Sequence, residues 1–84
     1  MGKETAIIIF NIIKRNFTVD LEVPLNISAN DLVSALNSAY DLGIDTSNIK
    51  NCYLKMERPI SLLKGNKALA NFGMRNGSII NFTE

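Results

Sequence analysis

FTVDLEVPLNISANDLVSALNSAYDLG, residues 17 to 43, sets an alternating strand directly before a capped helix, and this junction governs the rest of the chain. Phe17, Val19, Leu21 and Val23 are apolar at every second position while Thr18, Asp20 and Glu22 hold the other side, which predicts a half-buried strand over 17–23. Pro24 ends it, because a residue without an N–H cannot join a central ladder. After the short approach Leu25, Asn26, Ile27, Ser28 is placed to cap a helix. Asp31 stands in the capping-box position, where its charge suits the positive helix end, and Gly43 supplies a stop. Leu32, Ala35, Leu36, Ala39 and Leu42 or Gly43 recur at helical spacing and predict the core face, the alanines allowing close approach to a sheet. Ser34, Asn37, Ser38 and Asp41 are left for solvent.

Upstream, the isoleucine-rich residues 5–13 predict another strand, and Lys14, Arg15 and Asn16 give the polar break of a hairpin. Downstream, Ile44 is the expected anchor of a loop through Asn48. Cys52, Leu54 and Met56 then alternate with Tyr53, Lys55 and Glu57 as a third strand. Pro59 interrupts it, and Ile60, Leu62 and Leu63 form a short fourth strand or extended turn closed by Lys64, Gly65 and Asn66. Ala68, Leu69, Phe72 and Met74 read as a turn of helix or 3₁₀ structure. Asn76-Gly77 is a turn leading into a last strand with Ile80 and Phe82 inward, Ser78, Asn81 and Thr83 facing differently, and Ile79 as an exposed apolar candidate.

With 84 residues, 46% of them hydrophobic, the chain makes one domain over 1–84. The net charge of +1 lacks the basic footprint that concentrates a protein at nucleic acid or anionic lipid. The apolar run Ala6–Phe10 is too short for a membrane span, and Lys14 and Arg15 lie on the wrong side of it for a signal peptide. Met1-Gly2 does not complete a myristoylation motif, which wants Ser or Thr where Ala6 stands. One cysteine, Cys52, allows no internal disulfide, and a reducing cytoplasm is the expected location. The Asn-x-Ser/Thr triplets at Asn16, Asn26, Asn76 and Asn81 are then turn and surface chemistry.

The residues offer no reaction chemistry. The chain contains no histidine, and thus neither the usual general base near neutral pH nor the commonest transition-metal ligand. Cys52 falls in an alternating strand without a His partner, and Asp20, Glu22, Asp41 and Asp45 read as solvated charges. Gly43, Gly65, Gly73 and Gly77 are single stops, not a phosphate-cradling loop. We therefore assign no catalytic residue, metal or cofactor.

The order strand, strand, capped helix, strand, short strand, helical turn, strand resembles the β-grasp fold of ubiquitin over nearly the whole chain. Leu21-Glu22-Val23-Pro24, leading through Ser28 and Asp31 to Leu32 and Leu36, looks like ubiquitin's second strand entering its capped helix. Lys67-Ala68-Leu69-Ala70-Asn71-Phe72-Gly73-Met74, closing on Asn76-Gly77-Ser78, is similar to its helical turn before the last strand. The expected fold is therefore α+β, a mixed four- to five-stranded sheet packed on one main helix. Within that superfamily the chain looks most like the YukD family of small bacterial ubiquitin-like proteins. The stretches that carry this are Val23-Pro24-Leu25-Asn26-Ile27-Ser28-Ala29-Asn30-Asp31-Leu32, Gly43-Ile44-Asp45, Asn51-Cys52-Tyr53-Leu54-Lys55 and Phe72-Gly73-Met74-Arg75-Asn76-Gly77. The resemblance implies a cytoplasmic accessory component of the type VII secretion apparatus of Gram-positive bacteria, with membrane components of that machine as partners.

Departures from ubiquitin shape the expected mode of action. Phe82-Thr83-Glu84 lacks the length and the glycines of a conjugation tail, and Lys55 and Thr83 replace apolar residues of ubiquitin's recognition patch. The expectation is noncovalent protein binding through the sheet face at Tyr53, Lys55, Glu57, Ile79 and Asn81, where an aromatic and an aliphatic residue stand among polar groups. These positions also suit ordinary strand residues. Ile12 to Arg15 at the hairpin tip is a second candidate. The competing function is a self-associating structural module outside secretion, formed if an apolar first strand lies at a sheet edge; either a monomer or a weak homodimer is expected.

Overall fold

A computed structural model describes residues 4–48 and 50–83; Met1-Gly2 and Glu84, on which the expectations about the two ends rest, lie outside them. The elements are β1 (Thr5–Ile12), β2 (Phe17–Pro24), α1 (Ala29–Tyr40), β3 (Leu54–Glu57), β4 (Ser61–Leu63) and β5 (Ile79–Phe82), with 3₁₀ turns at Ile13–Arg15 and Leu69–Phe72. One five-stranded mixed sheet has the order β2-β1-β5-β3-β4 and carries the helix on one face. β1 pairs antiparallel with β2 and parallel with β5, and β5 and β4 each pair antiparallel with β3. The first strand is thus central, not an edge, which removes the premise of self-association through it.

Alternation holds in every strand. Ala6, Ile8, Phe10 and Ile12 of β1, with Leu54 and Met56 of β3, Leu63 of β4 and Ile80 of β5, point inward and are almost wholly buried. β2, at the edge, buries only Val23 fully, while Val19 and Leu21 are half-covered. Ile13 departs from the expected strand: the 3₁₀ turn beginning there leaves it exposed and delivers Arg15 to the helix C-terminus, where its guanidinium donates to the carbonyls of Tyr40 at 2.6 Å and Asp41 at 2.7 Å. A cation there complements the negative end of the helix dipole.

The N-terminus of α1 is closed by sequence and by tertiary contact together. Ser28 Oγ accepts from the Asp31 N–H at 3.1 Å, as its position predicts. The two preceding amides donate to the distant loop, Ala29 to the Lys67 carbonyl and Asn30 to that of Gly65, both at 3.0 Å. The expected core stripe is rotated: Ala29, Leu32, Val33 and Leu36 are buried, and Ala35 and Ala39 face outward. Turning Val33 and the ring of Tyr40 toward the sheet removes more apolar surface from water than turning two methyl groups would. Tyr40 lies between Phe10 and Phe17, with ring centroids 5.2 and 5.7 Å away.

The helix stops earlier than Gly43. Asp41 takes the left-handed conformation at φ 53°, and its amide donates to the Asn37 carbonyl. Asn37, expected in solvent, accepts from the Ile44 N–H at 2.9 Å and donates to the Ile44 carbonyl at 3.0 Å, clamping the returning chain. Leu42 is the buried residue there and Ile44 is half-buried. Ser78 is the other reversal. Alternation with Ile80 and Phe82 turns it inward, fully buried, where its hydroxyl donates to the Arg58 carbonyl at 2.7 Å and accepts from the Arg75 N–H at 3.0 Å.

Candidate functional site

The sheet face opposite the helix is built from the residues that alternation turns outward. Lys55 lies directly across from Asn81, and Glu57 across from Ile79, so these four of the five expected residues are brought together on adjacent strands. Tyr53, just before β3, joins them by lining a groove with Lys55, Asn81, Asp45 and Thr83. Lys55 and Glu57 are exposed, whereas Tyr53, Ile79 and Asn81 are half-buried. Ile79 is therefore not the open apolar residue expected, because β1 and β3 flank β5 on both sides.

Asn81 is engaged on both ends of its amide. Its oxygen accepts from Asn11 Nδ2 at 2.8 Å and its nitrogen donates to the Glu57 carboxylate; Thr18 in turn donates to Asn11 Oδ1 at 2.8 Å. A side-chain ladder thus crosses β2, β1, β5 and β3 on one face, holding one Glu57 oxygen in place. Asn11 and Thr18 were not expected in the site. Their signal was a single amide in an isoleucine-rich strand, informative only once the register set Asn11 opposite both Thr18 and Asn81.

Beside the ladder lies an apolar depression lined by Ile60 and Leu62 together with Lys55, Met56, Glu57 and Asn81. Ile60 is 89% exposed and Leu62 40%, so both hold apolar surface open to solvent. Across the sheet Ile7, on the same outward set as Ile9 and Asn11, is also exposed. The hairpin tip holds up less well as a site, since Ile12 is core and Arg15 is committed to the helix end.

No group of three His, Cys, Asp or Glu able to hold a metal occurs among the described residues, and Cys52 is buried. Asp45 has its carboxyl held below the usual 3.8 by the Ser47 hydroxyl and then by the Ser47 amide, which donate at 2.6 and 3.0 Å. Among the described residues no helix is long and apolar enough to cross a membrane.

One helix packed on a five-stranded sheet whose first and last strands run parallel at its centre defines a ubiquitin-like β-grasp domain. The fold is shared with the C-terminal ubiquitin-like domain of mouse tubulin-specific chaperone e: TM-score 0.68 and 11% identity, covering 100% of this chain and 92% of that one. It is shared likewise with the UBL domain of Plasmodium falciparum Dsk2: TM-score 0.61 and 13% identity, covering 95% and 100%. No family model and no curated protein matches the chain.

Proposed function

We propose that this chain is a single non-catalytic domain that binds other proteins noncovalently through its outward sheet face. The observation that carries this is the union of Lys55, Glu57, Ile79 and Asn81 beside the exposed Ile60 and Leu62. An apolar centre with a charged rim and a side-chain ladder fixing Glu57 is the composition of a small protein interface. Its likeness to the YukD family, carried by the stretches 23–32, 43–45, 51–55 and 72–77, supports a finer reading: a cytoplasmic accessory component of a Gram-positive type VII secretion system, docking on its membrane components.

The test is binding to the cytosolic parts of the cognate membrane subunits by calorimetry, with Lys55→Glu, Ile79→Asp and Ile60→Asp. Each is expected to weaken binding about tenfold or more, the loss of one interface anchor. Ile60→Asp separates binding from folding, because Ile60 is 89% exposed and its replacement leaves the core intact. Unchanged affinity for all three, with wild-type circular dichroism, would sink the sheet-face reading.

A further inference from the structure

The eight-residue strand β2 forms one edge of the sheet, and its register settles which backbone groups it leaves open. On β1, the Ile9 amide donates to the Ser78 carbonyl and the Ile7 carbonyl accepts from Gly77, both at 2.9 Å, so odd-numbered residues of β1 turn toward the β5 side. Even-numbered ones turn toward β2. The Leu25 amide confirms this parity by donating to the Glu4 carbonyl at 2.9 Å, one step beyond the pair Thr5 and Pro24. In an antiparallel pair, hydrogen-bonded and non-bonded positions alternate. Phe17, Val19, Leu21 and Val23 therefore bond to β1, while Thr18, Asp20 and Glu22 direct N–H and C=O outward from the sheet. Pro24 shares that parity, where its missing N–H costs no ladder bond.

The side chains at the open positions carry charge of one sign. Asp20 and Glu22 are exposed on the outward face, and neither β1 nor β2 contains a Lys or Arg. Glu22 receives a hydrogen bond from the Thr5 hydroxyl, 2.7 Å away, a neutral donor that does not cancel its charge. Beneath the same edge Val19 and Leu21 are half-covered and Phe17 is 39% exposed. We propose that β2 is a docking edge for an extended segment of a partner protein that alternates basic and apolar side chains, distinct from the Lys55–Ile79 face. Paired in this register, residues opposite Asp20 and Glu22 project onto the acidic face, and the intervening ones cover Val19, Leu21 and Phe17. A second copy fits poorly in the two registers that pair most of β2. A twofold centred on Asp20 sets Asp20 against its own copy, and one centred on Leu21 sets Asp20 against Glu22, like charges directly opposed.

The experiment titrates the isotope-labelled protein with the capped peptide Lys-Val-Lys-Val-Lys-Val-Lys and follows amide NMR signals. Expected are shifts and slowed hydrogen exchange at the Thr18, Asp20 and Glu22 amides. The matching glutamate peptide is expected to produce neither. The double variant Asp20→Lys, Glu22→Lys, checked for an unchanged melt, should weaken the lysine peptide about tenfold and admit the glutamate peptide. Methylating the peptide nitrogens that face the edge keeps the charge but removes the donors, and binding is expected to be lost. Undiminished binding of the methylated peptide, shifts confined to other surfaces, or a dimer whose β2 amides are already protected would each overturn the proposal.

Discussion

Asn81 shows how much one side chain is decided by its neighbours. Its outward position follows from alternation with Ile80 and was legible in sequence, yet its role follows from the three strands that set Asn11 and Glu57 beside it. An amide with both ends bonded is a brace rather than a free hook, and it leaves Lys55, Glu57 and Ile60 as exposed groups beside it. Asp45, in the groove with Tyr53 and Lys55, lends itself to direct measurement. Its folded pKa is depressed, so the stabilisation from its Ser47 contacts is present above the ordinary 3.8 and is lost as pH falls through the lower folded value. Ser47→Ala is expected to raise the Asp45 midpoint toward 3.8, read from the carboxyl carbon in an NMR titration; an unmoved midpoint would refute the assigned cause.

At the scale of elements, α1 separates local from tertiary information. Ser28 works as a cap because its own hydroxyl reaches the Asp31 amide, a contact contained within four consecutive residues. The rotation of the helix is another matter. Two apolar stripes overlap in the sequence, one through Ala35 and Ala39 and one through Val33 and Tyr40, and the sheet selects the bulkier. Val33→Ala is therefore expected to cost about 2 kcal/mol, from lost methyl burial and the cavity left behind. Ala35→Lys should stay within about 0.5 kcal/mol of wild type, as at other exposed positions. Urea unfolding of both variants checks the rotation, and a reversed order of stabilities would restore the alanine stripe. The stop at Asp41 has a similar origin: Arg15 and the Asn37–Ile44 clamp act on the last turn from outside the helical pattern.

Across the whole molecule, the parallel pairing of β1 with β5 joins strands from opposite ends of the chain, and the segment through Leu69 binds the helix entry. Leu69 is fully buried, its amide bonds to the Ile27 carbonyl, and the Ala70 amide bonds to that of Leu25. Such interlocking predicts one cooperative transition. Leu69→Ala should destabilise by about 2 to 5 kcal/mol and lower the far-ultraviolet dichroism and tyrosine fluorescence melts together. A sheet signal that melts at the wild-type temperature in this variant would instead make the 3₁₀ segment a separate unit. The sequence by itself determined the strand alternation, the Ser28 cap and the order of the elements, because periodicity and capping are set by residues a few positions apart. The tertiary structure alone decided the central place of β1, the face α1 buries, and the assembly of Thr18, Asn11, Asn81 and Glu57. The rotation of α1 depends on the sheet it packs against, and the side-chain assembly on register between distant strands, where a shift of one residue turns every side chain to the opposite face.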